Sequence, residues 1–206
     1  MTSKPPPKGV LQGYANRMVA FIAGFALMYF ILFTVSNQIQ STKSSFELQL
    51  PLSMAKEPLL ISACGQSTDA YLLQDLLTEL RMDHQFIPQA TTDDLRDMST
   101  LIVTLGYSPT GLQMLQQTFE DEYNRIYALT KAAKVRGIPV IAVYLGTGSS
   151  YKAKNLTLLK AIMPNVDRFI VMHEGVLTRT IQQSEKDIVT ISRIEDLKSV
   201  IISSLR

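Results

Sequence analysis

Hydrophobic positions fall into three regimes along the chain. From Met18 to Val35 eighteen consecutive residues carry no charge, and the apolar character fades through Ser36, Asn37 and Gln38 to Ile39. A helix needs about 20 such residues to cross roughly 30 Å of hydrocarbon, so the run predicts one transmembrane helix over 17–39. Phe46, Leu48, Leu50 and Leu52 then fall at every second position, the period of a strand. Segment 40–57 is therefore a linker that adds an edge strand, lies on a neighbour, or serves as an extended tether. From Pro58 onward, short apolar runs stopped by glycine alternate with amphipathic helical patterns.

Residues 59–64 form the first run, broken by Gly65; 69–81 then set Leu72, Leu73, Leu76, Leu77 and Leu80 on one helical face. A short strand over 84–87 precedes Pro88, a capped helical turn follows at 92–95, and 100–105 reads as a buried strand ending at Gly106. The longest helix is expected over 112–136, with Leu115, Phe119, Ile126 and Ala133 inward and Gly137 at its end. Strand 138–145 closes at Gly146, and helix 156–163, strand 168–172, strand 188–191 and helix 194–205 complete the chain. Apolar strands alternating with amphipathic helices indicate a mostly parallel sheet covered on both faces. The expected fold is α/β, doubly wound, Rossmann-like or flavodoxin-like, with strand order 2-1-3-4-5 and room for an extra edge strand. One N-terminal transmembrane helix precedes it.

Charge refines this organisation. Lys4, Lys8 and Arg17 precede the apolar run and no acid occurs before Glu47, which favours a cytoplasmic N-terminus and a domain on the far side of the membrane. Residues 1–16, with Pro5, Pro6 and Pro7, have nothing to bury and are expected to form a disordered tail. A cleaved secretory signal would also start basic and turn apolar. Its core spans only about 7–15 residues, and no Ala-x-Ala type site stands at 36–41, so an uncleaved signal anchor fits better. Four of the 20 Lys and Arg and one of the 18 Asp and Glu precede Lys56, leaving 16 cations against 17 acids in the domain. That near-neutral balance argues against nucleic acid as a partner. Ala20 and Gly24 give the span one small-xxx-small pair for a neighbouring helix, and an integral-membrane protein partner is expected beside the lipid bilayer.

Ligands of open parallel sheets bind outside the carboxyl ends of the strands. Four loops meet that condition: 64–69 with Gly65, Gln66 and Ser67; 106–111 with Gly106 and Ser108; 146–150 with Gly146 and Thr147; and 173–175 with Glu174. Their glycines and hydroxyls suit a small anionic or polar ligand, and equally suit turns. Ser67 and Asp69 also read as a cap and a dipole partner for the following helix. Gly146 and Gly148 begin like a dinucleotide loop, but Tyr151 stands where a third glycine belongs and Pro88 and Gln89 stand where a ribose-binding acid is wanted. No cofactor is expected.

Phosphate-loop, zinc-protease, nucleophile-elbow and EF-hand signatures are all missing. Catalysis could rest only on Ser67, on the single cysteine Cys64, or on His173 beside Glu174, and packing accounts for Cys64 more simply. Lys152, Lys154 and Lys160 follow the Gly146 loop as a basic face, and Asn155-Leu156-Thr157 forms a glycosylation sequon. One cysteine permits no intrachain disulfide.

Gly65-Gln66-Ser67 with Asp69, Gly106 with Ser108 and Gly111, 137–143 leading to Gly146, and Glu174-Gly175 follow one another as they do in a known group of sequences. In that order of landmarks, residues 58–205 resemble an uncharacterised bacterial family of exported Rossmann-like domains. The resemblance implies an extracytoplasmic domain and transfers no catalytic role. Tyr107 and Pro109 interrupt a more glycine- and serine-rich loop, and the loop after Gly146 lacks the paired arginines of that pattern. The chain reads as an extracytoplasmic accessory or small-ligand-binding domain, a non-catalytic subunit of a membrane complex such as a transporter. A small-molecule enzyme and a purely structural subunit are the alternatives.

Overall fold

The structure, a computed structural model, describes residue 28, residues 55–146, 149–172 and 175–204. The expected span and the alternating segment 46–52 lie outside the described residues, Met28 apart; none of the described helices is long and apolar enough to cross a membrane.

Six parallel strands form one sheet in the order β2-β1-β3-β4-β5-β6. They are β1 Leu59–Cys64, β2 His84–Phe86, β3 Thr100–Leu105, β4 Val140–Tyr144, β5 Arg168–Val171 and β6 Asp187–Thr190. The expected order 2-1-3-4-5 is thus observed, with β6 as the additional edge strand. β1, β3, β4 and β5 are buried at every position, as strands covered on both faces are, and their residues are mostly apolar.

Helices α1 Asp69–Glu79, α2 Pro109–Met114, α3 Phe119–Val135, α4 Lys152–Ile162, α5 Val176–Gln182 and α6 Asp196–Ser204 supply the two layers. Leu73 and Leu77 of α1 with Leu197 and Ile201 of α6 pack on Leu59, Ile61, Ile102 and Ile141. Ile126 and Leu129 of α3, Leu158 and Leu159 of α4 and Ile181 of α5 cover the other face at Leu60, Leu101, Val103 and Phe169. Each fully buried aliphatic or aromatic side chain contributes about 1.5–3 kcal/mol, so the two apolar layers are the main source of stability.

The single helix expected over 112–136 is two helices. Gln116 adopts a left-handed φ of 53°, and Thr118 restarts the chain with a capping box: its hydroxyl accepts the Asp121 amide at 3.1 Å while Asp121 Oδ2 accepts the Thr118 amide at 2.9 Å. The turn near 92–95 is a single 3-10 turn held not by Thr92 but by Thr91: the Thr91 amide donates to Asp94 Oδ2 at 2.7 Å.

At the amino edge, Arg168 lies opposite Asp187 in the register of β5 and β6. Its guanidinium, 1% exposed as a residue, donates to Asp187 Oδ2 at 2.6 Å and to Ser204 Oγ at 2.8 Å. Ala55 donates its amide to Ser204 O at 2.9 Å, which fixes where the chain enters the domain.

Candidate functional site

The helix after β1 covers one face and the helices after β3 cover the other. Their loops must diverge between β1 and β3, the switch point at which open α/β sheets bind ligands. Gly65, Gln66 and Ser67 leave β1 here, and Gly106, Tyr107 and Ser108 leave β3.

These two loops are laced to one another. Gln66 and Tyr107 form an isolated antiparallel bridge across the crevice. The amide of Gly106 donates to Cys64 O at 2.9 Å, that of Ser67 to Gly106 O at 3.0 Å, and that of Ser108 to Gly65 O at 2.7 Å. The Tyr107 amide reaches Asn155 Oδ1 at 2.6 Å, and Ser108 Oγ accepts the Gly111 amide at 3.0 Å. Such close approach needs Gly65: its φ is +99°, and a Cβ there would lie 2.6 Å from Gly106 O.

A buried acid holds the first loop from below. Glu122 on α3, 0% exposed, accepts the Gly65 amide at 2.7 Å, and both its oxygens accept the Gln66 side-chain amide at 3.2 Å. Arg125, one turn on, meets the carboxylate with Nε at 2.8 Å and Nη2 at 2.8 Å. The rest of its guanidinium donates to Ala90 O at 2.8 Å, Ala63 O at 2.5 Å and Ser62 Oγ at 3.2 Å. Both charges are therefore paired and bonded, which a buried ion pair requires. Cys64 lies buried beside them. Burial raises its thiol well above the ordinary range, the Glu122 charge raises it further, and Arg125 offsets part of this. The group is a packed neutral thiol.

On the α1 side of the sheet the picture is different. Thr68 opens α1 in helical conformation with no side-chain cap bond, so Ser67 does not act as the expected cap. Ser67 Oγ and Thr104 Oγ1 are buried without a hydrogen-bond partner among the described residues. Asp69, in the first turn of α1, is 4% exposed. Tyr144 ends β4 with its side chain in the cluster on the opposite face, under α3 and α4; burial, then the Asp69 charge, raises its phenol above the ordinary value.

Gly146 follows β4 with a left-handed φ of 90°. Thr147 and Glu174 lie outside the described residues, as do Gly148 and His173. Of the basic face, Lys154 sits 3.9 Å above the ring of Phe119, while Lys152 and Lys160 are exposed. Among the described residues no cluster of His, Cys, Asp and Glu could hold a metal ion. The structure thus brings together Gly65, Gln66, Ser67, Gly106 and Ser108, and adds Glu122, Arg125, Asn155, Thr104 and Tyr144, which sequence reasoning missed. Glu122 had a readable signal: it falls three positions after Phe119 and four before Ile126, on the face assigned to the core.

Residues 56–205 match the family model described as a domain of unknown function, DUF6305. The chain belongs to that family. No curated protein and no solved structure matches it. The DUF6305 match starts where the Lys56 amide bonds Thr100 Oγ1 at 2.8 Å, so it takes in the whole sheet from β1 to β6.

Proposed function

We propose that this DUF6305 chain is a non-catalytic accessory subunit of a membrane complex such as a transporter. In this reading residues 17–39 anchor it in the cytoplasmic membrane, the N-terminus lies in the cytoplasm, and the α/β domain lies outside. The observation that carries the non-catalytic part is the lacing of the switch point. The amides of Gly65, Gly106, Tyr107 and Ser108, which an enzyme of this architecture would aim at a substrate, are consumed by Glu122, Cys64, Asn155 and Gly65 itself. Cys64, the one thiol, is buried and held protonated.

The test is gentle extraction of the full-length protein from its native membrane, followed by mass spectrometry of what co-purifies. A stoichiometric integral-membrane partner, lost on deletion of residues 1–36, is the expected result; a solitary chain overturns the subunit reading. A ligand-responsive form of the same role is favoured by one feature, the buried bondless hydroxyls of Ser67 and Thr104. The enzyme alternative requires turnover that falls when Ser67, Cys64 or His173 is replaced by alanine.

A further inference from the structure

The lacing that closes the switch point to a substrate also builds a rigid surface outside it. The Tyr107 backbone is held twice, by its bridge to Gln66 and by Asn155 Oδ1, which accepts its amide at 2.6 Å. Its ring packs edge-on against Phe119, with centroids 5.5 Å apart, and against Tyr151, at 5.3 Å. Phe119 opens α3 behind the Thr118 capping box, and Tyr151 immediately precedes α4. Rings from three separate elements therefore meet at the carboxyl edge on fixed backbone. Tyr107 and Phe119 are half-buried, and Tyr151 is 44% exposed.

Lysines border these rings. Lys152 and Lys154 are exposed, and neither meets a carboxylate among the described residues. Both stand in the first turn of α4, which holds no acid, although the positive end of a helix disfavours cations there. Lys154 Nζ lies 3.9 Å from the centre of the Phe119 ring, so the positive charge and the aromatic surface are continuous. In the first turn of α3, Asp121 is engaged by Thr118 and Glu122 is buried, which leaves Glu120 of that turn against the two lysines.

We propose that this surface docks an apolar segment carrying carboxylates on the membrane partner of the complex, with an apolar side chain seated on the three rings and acids beside Lys152 and Lys154. The proposal rests on the subunit reading above and names its surface and chemistry. Aromatic side chains are the usual anchors of protein interfaces, and rings already fixed in place lose little freedom on binding. Unpaired lysines at the rim select an acidic partner. A second copy of this chain paired through the same patch would set like charges against one another. Position argues against the bilayer: the chain enters at the amino edge, where Ala55 bonds Ser204 O, and the rings lie at the other end of the strands.

Photo-crosslinking of the full-length protein in its native membrane tests this. Tyr151→p-benzoylphenylalanine keeps an aromatic ring at the patch, and Tyr71→p-benzoylphenylalanine on α1, which covers the other face, is the control. Position 151 and not position 71 is expected to label the co-purifying membrane protein, on a segment of apolar residues with Asp or Glu among them. Lys152→Glu with Lys154→Glu should lower the recovery of that protein about tenfold at about 0.15 M salt, with the circular dichroism of the domain unchanged. Labelling of lipid, of a second copy of this chain or of a segment without acids overturns the proposal, as does equal labelling from both positions or unchanged recovery with the charge-reversed variant. A partner that co-purifies without labelling from position 151 leaves the subunit reading standing and removes this surface; a solitary chain removes both.

Discussion

Glu122 Oε1 and the amide of Gly65 are joined at 2.7 Å across 57 positions of sequence. That bond ties the first turn of α3 to the exit of β1, and Gln66 and Arg125 close the network around the same carboxylate. The consequence is a carboxyl edge whose shape is set by a side chain beneath it.

Removing Glu122 leaves Arg125, whose side chain is only 10% exposed, without its counter-charge. Glu122→Ala should cost about 3–5 kcal/mol, the usual penalty for breaking a buried pair from one side. Replacing both partners together, Glu122→Leu with Arg125→Met, should recover a large part of that loss, because the uncompensated charge goes as well. Urea unfolding of the two variants decides it, and a Glu122→Ala cost below about 1 kcal/mol would show the pair to be incidental.

Three glycines should rank in a definite order. A Cβ on Gly65 would lie 2.6 Å from the Gly106 oxygen, and one on Gly111 would lie 2.4 Å from the Gln66 oxygen, both rigid backbone. Gly137 has φ +72° with nothing within 4 Å, so alanine there meets only the left-handed strain of about 1–2 kcal/mol. Gly65→Ala and Gly111→Ala should both exceed Gly137→Ala in a denaturation series, and equal costs at all three would contradict the close approach of the loops.

The strands were legible because burial on both faces writes itself as mostly apolar runs, 59–64 and 100–105 among them. The break between α2 and α3 was not, since Leu115 continues the helical spacing while the left-handed Gln116 and the Thr118 capping box end it. The candidate loops were found from glycine and serine content, which turns and ligand sites share. What distinguishes the two uses is the destination of each amide, and that depends on Glu122 and Asn155, 57 and 48 residues from their partners Gly65 and Tyr107. Thr104 was hidden for a related reason: within an apolar strand a threonine reads as one more β-branched residue, and only the surroundings reveal that its hydroxyl has no partner.

The capping box of α3 gives a test at low pH. Hydrogen bonds from the Thr118 side chain, then its backbone, hold the Asp121 carboxyl below its ordinary value. A depressed carboxyl stabilises the fold above its unfolded pKa of about 3.9, and the contribution is lost as pH falls through the lower folded value. Thr118→Ala should lower the unfolding midpoint at pH 7, and the gap between variant and parent should narrow as pH falls below the carboxyl's ordinary value of about 3.9. A gap that persists unchanged at pH 2.5 would mean that the cap acts without the Asp121 charge.

Cys64 gives the complementary test in alkali. An unfolded cysteine ionises near pH 8.5, whereas the folded thiol, raised by burial and by Glu122, holds its proton well above that. Between the two values the folded state binds the extra proton, so stability falls as pH rises, by up to about 1.4 kcal/mol per unit for one group. Cys64→Ala lacks the group, and although its smaller side chain lowers stability at pH 7, its decline above pH 8.5 should be shallower than the parent's by that amount. The parent thiol should also resist iodoacetamide at pH 8 except through opening of the fold, reacting at once when urea is added. Rapid alkylation of the folded protein would place the sulfur in solvent and remove both expectations together.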